Sequence, residues 1–124
     1  MITDKILLDT NFLIDNLKWK AGVFRSFRGK WVGTIVPVIQ ELTALSKGKS
    51  VNNIFAKLAL RQVKTKGLKA LRTKETSADP ALVSLSKKGY IIATHDKLLK
   101  QRIRKVGGKI IFIRQKKYVV IEQE

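Results

Sequence analysis

The sequence predicts an α/β fold in which helices cover both faces of a mostly parallel sheet, and three observations carry this prediction. Short, continuous apolar runs are typical of strands that are buried on both faces. Segments with the 3.6-residue apolar repeat of amphipathic helices separate these runs. The two kinds of segment alternate, as in βαβ units with parallel strands. Because the chain has 124 residues and no linker or internal repeat, residues 1–124 are expected to form one domain.

The first part of the chain predicts two strands and the helices that follow them. Ile6–Leu8 is an apolar run, and the polar residues Asp9–Asn11 after it open a helix. A second, short helix is expected at 23–27, and the β-branched and aromatic run Trp31–Val36 predicts the second strand. Pro37 suits the first position of the next helix, because the N–H that it lacks has no partner there.

The rest of the chain continues the alternation. A long amphipathic helix is expected from Ser50, and a short strand at 68–71. Asp79 followed by Pro80 is a start signal for a helix with Asp79 as its N-cap. Three strands remain, at 90–94, 109–113 and 118–121, with a helix carrying Leu99, Ile103 and Val106 on its apolar side after the first of them. The last strand is expected to be antiparallel, since its connection is too short for a helical crossover.

The charge balance points to a polyanionic partner. Lys and Arg number 26 and Asp and Glu only 9, which gives a formal net charge of +17. A domain with this charge repels itself, and nucleic acid, which releases counterions to Lys and Arg, is the leading partner. An anionic membrane surface and a simply well-solvated surface are the alternatives. The side chains expected to contact phosphates are Arg102, Arg104, Lys105, Arg114, Lys116 and Lys117. The alternative is that these side chains are simply solvated.

Other features exclude several classes of protein. The chain has no Cys and one His, so it has no disulfide, no thiolate nucleophile and no pair of histidines acting as acid and base. No apolar run approaches the ~18–20 residues of a transmembrane helix. The first residues lack the basic and apolar regions of a signal peptide, so a cytoplasmic location is expected.

The few acidic residues fall at informative places. Asp9 and Asp96 follow apolar strands, Asp79 heads a helix, and Glu41 lies early in the helix after the second strand. Because the carboxyl ends of parallel strands share one edge of a sheet, these four side chains could converge there. Their mutual repulsion would be relieved by Mg²⁺ or Mn²⁺, which prefer oxygen ligands. The alternative is that each Asp is an ordinary N-cap.

Four segments resemble, in order, the motifs of the PIN-domain nucleases: Ile6–Leu13, Val36–Leu42, Ser77–Asp79 and Ile91–Lys100. The segments 20–24 and 110–118 resemble an archaeal branch of this family that is related to the eukaryotic nuclease for small-subunit ribosomal RNA. The wider relatives are the VapC-like PIN toxins. The resemblance covers nearly the whole chain.

The resemblance implies a Rossmann-like, three-layer fold and an endoribonuclease that uses Mg²⁺ or Mn²⁺ to cut single-stranded RNA, such as an rRNA precursor. Its catalytic and metal-binding residues would be Asp9, Glu41, Asp79 and Asp96, and its supporting residues Asn11 and Thr94. A homodimer or partners in ribosome assembly are also possible.

One departure keeps alternatives open. Related sequences often have two successive acids in the third motif, whereas Pro80 follows Asp79 here. A non-catalytic RNA-binding module and a VapC-like toxin ribonuclease therefore remain alternatives. His95, beside Asp96, is either a substrate contact or a bystander.

Overall fold

The structure is a computed structural model that describes residues 4–122. Its strands are β1 (Lys5–Leu8), β2 (Trp31–Ile35), β3 (Lys69–Leu71), β4 (Ile91–Ala93), β5 (Ile110–Arg114) and β6 (Tyr118–Glu122). Its helices are α1 (Thr10–Lys18), α2 (Val23–Ser26), α3 (Val36–Leu45), α4 (Val51–Thr65), α5 (Ala78–Lys87) and α6 (Lys97–Lys105). Strands and helices alternate as the sequence predicts.

The six strands form one sheet in the order β3-β2-β1-β4-β5-β6. All neighbours are parallel except β5 and β6, which pair antiparallel across the short turn after Arg114. The strand order reverses its direction between β1 and β4, and a mostly parallel sheet of this kind binds ligands at such a point, outside the carboxyl ends of the strands. The predictions of an α/β fold and of an antiparallel last strand are confirmed.

The core lies on both faces of this sheet. The side chains of Ile6–Leu8 on β1 and of Ile91–Ala93 on β4 are almost fully buried, which explains their uninterrupted apolar sequence. Helices α1, α3 and α4 pack on one another, and α5 packs on α6. Leu99 and Ile103 of α6 are fully buried, as the apolar repeat predicts. Within the described residues, no helix is both long and apolar enough to cross a membrane.

Two helix starts differ from the sequence-based prediction. Helix α3 begins at Val36, one residue before Pro37, so the second strand ends at Ile35. The assignment of Asp79 as an N-cap is wrong, because Ser77 occupies that position and Asp79 lies in the first turn of α5. Pro80 still falls within the first turn, where its missing N–H breaks no helical hydrogen bond. The carboxylate of Asp79 is therefore not needed to cap its helix.

Helix α4 begins one residue after Ser50, close to the predicted start, but part of its apolar repeat is exposed to solvent. The Ser50 hydroxyl accepts a hydrogen bond from the Asn53 backbone N–H, and the Asn53 side-chain oxygen accepts one from the Ser50 backbone N–H, which is a capping box. The small residues Ala56 and Ala59 face the core. Val51, Ile54 and Leu58 are exposed, although the sequence alone assigns no apolar stripe to the surface.

Candidate active site

The centre of the site is Asp9, which follows β1 directly and is buried. Its backbone N–H donates to the Ala93 carbonyl (2.9 Å), so Asp9 lies beside the end of β4. It stands at the N-cap position of α1, yet its side chain makes no capping hydrogen bond. Its carboxylate accepts a hydrogen bond of 2.8 Å from the Thr94 hydroxyl instead. The N-cap explanation therefore fails for this carboxylate, which is directed to the end of β4.

Thr94 and Asn11 arrange the ends of β1 and β4 around this carboxylate. The Thr94 side chain is fully buried, and its oxygen also accepts a hydrogen bond from the Asp96 backbone N–H (3.1 Å). The Asn11 side-chain oxygen accepts from the His95 backbone N–H at 3.2 Å. Both residues were predicted to be supporting residues, and the structure gives them contacts that fix the backbone on both sides of the site.

Asp96 is a true N-cap. Its carboxylate accepts a hydrogen bond of 3.0 Å from the Leu99 backbone N–H at the start of α6. The N-cap alternative therefore describes Asp96, whereas it does not describe Asp9 or Asp79. A carboxylate has about four acceptor positions, so this bond leaves Asp96 capable of binding another group.

The four predicted acidic residues influence one another electrostatically. The pKa of Asp9 is raised to about 6, first by burial and then by the charges of Asp79 and Glu41, against the Thr94 hydrogen bond that lowers it. Burial is also the main cause of the raised pKa values of Glu41 and Asp79, and the nearby charge of Asp96 adds to both. Each carboxyl group thus lies near at least two of the others.

The chemistry of these groups suits a divalent cation, although they do not form a ready ligand cage. Among residues 4–122, no three Asp, Glu or His side chains are grouped so that they could hold a metal ion as they stand. The donors are carboxylate oxygens, the ligands that Mg²⁺ and Mn²⁺ prefer, and a cation would relieve their repulsion. The buried Thr10 hydroxyl makes no well-aligned hydrogen bond. It lies close enough to the Glu41 carboxyl group to lower the pKa of that group. A buried hydroxyl beside the acids that has no well-aligned hydrogen bond fits a site for a cation and its waters.

Thr94→Val tests how the hydroxyl holds Asp9. Valine keeps the shape of threonine but cannot donate a hydrogen bond, so the Asp9 carboxylate loses a contact that lowers its pKa. We expect the pKa of Asp9 to rise above about 6. The measurement is an NMR titration of the carboxyl carbons in metal-free protein. Thr43→Val, which removes an exposed hydroxyl on α3, is the control and should leave the titration of Asp9 unchanged.

His95 belongs to the framework around the site. Its Nε2 accepts a hydrogen bond from the Ile113 backbone N–H (2.9 Å), so this nitrogen carries no proton and the ring is neutral. Its Nδ1 lies 2.8 Å from the Asp15 carboxylate and donates to it. The ring packs between Phe12 and Trp19, with both ring centres 5.2 Å away. These contacts give His95 a structural role, because they join α1 to β5.

The structure separates the six predicted phosphate contacts. Arg102 is exposed and lies near the acids, since its charge lowers the pKa of Asp79. Arg104 instead makes a bidentate ion pair with Glu122, in which contacts of 2.5 and 3.0 Å join α6 to β6. The remaining four, all exposed, are Lys105 on α6 and Arg114, Lys116 and Lys117 at the β5–β6 turn.

Two residues that the sequence-based prediction left out take part in the site. Thr10 lies beside Glu41, and its position directly after Asp9 is a signal that was available in the sequence. The Asp15 carboxylate accepts a hydrogen bond from the His95 Nδ1–H, but nothing in the sequence shows this pairing because the two residues are 80 positions apart.

Comparisons with known proteins agree with this arrangement. A family model described as a PIN-like domain matches residues 6–116. Ribonuclease VapC4 of Methanocaldococcus jannaschii is 32% identical over 94% of this chain and 95% of its own length. The rRNA-processing protein fcf1 of Schizosaccharomyces pombe is 33% identical over 83% of this chain and 55% of its own length. The FCF1 protein of Saccharomyces cerevisiae, also named for rRNA processing, is 36% identical over 84% and 56%. The chain thus spans about half the length of the two yeast relatives.

Proposed function

The chain belongs to the PIN-like domain family, and from this premise we propose that it is a metal-dependent endoribonuclease that cuts single-stranded RNA in ribosomal RNA processing. The observation that carries the proposal is the set of four interacting carboxyl groups at the carboxyl edge of β1 and β4. The proposed partner is an rRNA precursor, with a homodimer or a ribosome-assembly protein as a further possibility, and the proposed location is the cytoplasm.

The proposed metal ligands are Asp9, Glu41, Asp79 and Asp96. When bound, Mg²⁺ or Mn²⁺ would act as a Lewis acid on the phosphodiester. The chain's own contribution is positional: Thr94 orients Asp9 through its hydroxyl, and Asn11 fixes the backbone beside Asp96. The Glu41 residue is exposed although its carboxyl group is partly buried, and Asp79 is half-buried, so both side chains have room to turn toward an ion. Arg102 places a positive charge beside this acidic site, where an RNA phosphate would approach.

The missing second acid of the third motif does not count against Asp79. Because Ser77 holds the N-cap position, the Asp79 carboxylate is not engaged in capping and interacts with the other acids instead. In this proposal Asp79 supplies the third motif's ligand without help from residue 80.

Two other functions have an observation in their favour. A non-catalytic RNA-binding module is favoured by the capping bond of Asp96 and by the absence, within residues 4–122, of three acids grouped for a metal. A toxin ribonuclease is favoured by the match to nearly the whole length of VapC4, against about half of each yeast relative. A small antitoxin gene next to this chain's gene would support the toxin.

Cleavage of single-stranded RNA with Mn²⁺, and with EDTA in its place, tests the proposed reaction. We expect cleavage only with the metal, and a loss of both cleavage and calorimetric Mn²⁺ binding in Asp96→Asn, because a neutral amide is a poorer ligand for a hard cation. Asp4→Asn, which neutralises an exposed acid away from the cluster, is the matched control and should behave like the wild type. Cleavage that persists in EDTA would contradict the metal mechanism. Salt-sensitive RNA binding without metal binding would favour the non-catalytic module.

A further inference from the structure

A cleft lies at the amino ends of the strands, opposite the carboxyl ends where the acids lie. It encloses about 850 Å³ between the end of α1, helix α2, the starts of β2 and β3, and the end of α4. The acids follow the ends of β1 and β4, and these strands are parallel to β2 and β3. The two sites are therefore separated by the length of the strands, which at ~3.3 Å per residue is about 15 Å for strands of this size.

Positive charge dominates the walls of this cleft. Six of the side chains that line it are basic, and none is acidic: Lys20, Arg25, Arg28, Lys30, Lys66 and Lys69. All six are exposed, and none makes an ion pair with a carboxylate in residues 4–122. Their charge is thus available to an anionic ligand, unlike that of Arg104, which Glu122 already binds.

Aromatic side chains accompany these bases. Phe24 and Trp31 line the cleft and are only partly buried. The Lys66 ammonium lies 5.7 Å from the centre of the Phe24 ring. Partly exposed rings beside cations are the combination that holds single-stranded nucleic acid, because bases stack on the rings while phosphates bind the cations.

The floor of the cleft is held in place by hydrogen bonds. The Asn16 side chain donates to Gln62 (3.3 Å), which joins α1 to α4. Its oxygen accepts from the Val23 backbone N–H (3.1 Å) at the start of α2. The turns at Gly22 and Gly67 have φ of 63° and 62°, a conformation that favours glycine. A ligand therefore meets a cleft that is already formed, which lowers the entropic cost of binding.

We propose that this basic cleft binds the phosphate backbone of single-stranded RNA at a site separate from the acids. The identity of the ligand rests on the proposed RNA substrate, whereas binding here does not require cleavage. Six available cations exceed what one nucleotide can neutralise, and a run of several phosphates matches them better. RNA held here is remote from the carboxylates, so the cleft anchors a part of the strand that is not cut.

The experiment uses fluorescence anisotropy in EDTA to measure the binding of a labelled single-stranded RNA of about 20 nucleotides. This length exceeds the number of nucleotides that one binding domain usually covers. Arg25, Arg28 and Lys30 are replaced together by Glu. The matched control replaces Lys47, Lys49 and Lys57 by Glu, since these exposed lysines lie outside the cleft. Both triple variants change the net charge equally, so a general loss of attraction affects both to the same extent.

We expect the cleft variant to bind RNA at least about tenfold more weakly than the control. The slope of the logarithm of the binding constant against the logarithm of the salt concentration should be smaller by about two, because three phosphate contacts are lost. Equal losses in both variants would overturn the proposal. If circular dichroism shows that the Glu variant is unfolded, a variant with Gln at the same three positions replaces it in the binding measurement. Since EDTA removes any metal-dependent cleavage, a failure of the nuclease proposal leaves this result readable, and normal cleavage with equal binding losses would refute the cleft alone.

Discussion

Asp9→Asn is expected to lower RNA cleavage by at least about 100-fold and, at neutral pH, to make the metal-free protein more stable. The activity falls because the amide removes the most buried of the four carboxylates from the site. The stability rises because the amide is neutral, so no charge has to be buried, and its oxygen still accepts the hydrogen bond from Thr94.

The pH dependence of this effect follows from the pKa of Asp9. The folded protein raises it from 3.8 to about 6, so the folded state binds the proton more tightly than the unfolded state does. The stability contributed by the protonated group is present below the unfolded pKa and is lost as the pH rises through the folded pKa. At ~1.36 kcal/mol per pKa unit, the free energy of unfolding falls by roughly 3 kcal/mol once the pH is above the folded pKa. The Asp9→Asn variant does not lose this stability, because its amide does not titrate in this range.

Urea unfolding in EDTA, at about pH 4 and about pH 7.5, measures this difference. We expect the free energies of unfolding of the wild type and Asp9→Asn to be close at the lower pH and to diverge at the higher one. Asp4→Asn, which changes an exposed acid, should follow the wild type at both. An Asp9→Asn variant that is less stable than the wild type at pH 7.5 would contradict a buried carboxylate with a raised pKa.

His95→Ala is expected to destabilise the fold by about 2–4 kcal/mol. The change removes the hydrogen bonds to Asp15 and Ile113 and leaves a gap between Phe12 and Trp19. The Ile113 N–H is then left without its partner, which costs more than the bond itself contributes. Urea unfolding measures the loss.

Asp15→Asn is the matched change on the other side of this contact. The Asn oxygen can still accept from the His95 Nδ1–H, because the bond from Ile113 to Nε2 fixes the neutral ring with its proton on Nδ1. We expect a loss of less than about 1 kcal/mol. Equal, small effects of both substitutions would show that His95 does not join α1 to β5.

The architecture was predictable because it rests on repeated local patterns. Fully apolar runs gave β1 and β4, and the position of each acid after a strand placed Asp9 and Asp96 at one edge of the sheet. A parallel sheet then brings the ends of these strands together whatever the exact boundaries are. The electrostatic coupling of the four acids follows from this general rule rather than from any one contact.

Details that depend on one residue of backbone or on distant partners were not predictable. Ser77 and Asp79 are both good N-caps, and only the folded backbone decides between them. The apolar repeat of α4 defines a stripe but not the part of it that meets the core, so the exposure of Ile54 was missed. The partners of His95 are 80 and 18 positions away, beyond any local pattern.

The hydrogen bond between Asp9 and Thr94 joins residues 85 positions apart, and this separation has a consequence for timing. During synthesis the amino-terminal part of a chain emerges first, so β1 leaves the ribosome long before β4 exists. Contacts between such distant segments form late, after the entropy of closing a long loop has been lost. A growing chain therefore carries its first carboxylate without the partners that orient it. In the proposed nuclease, cleavage of RNA therefore requires that the segment carrying Thr94 and Asp96 has been made and has folded onto β1. The ribosome would then not be exposed to an active site on a partly made chain.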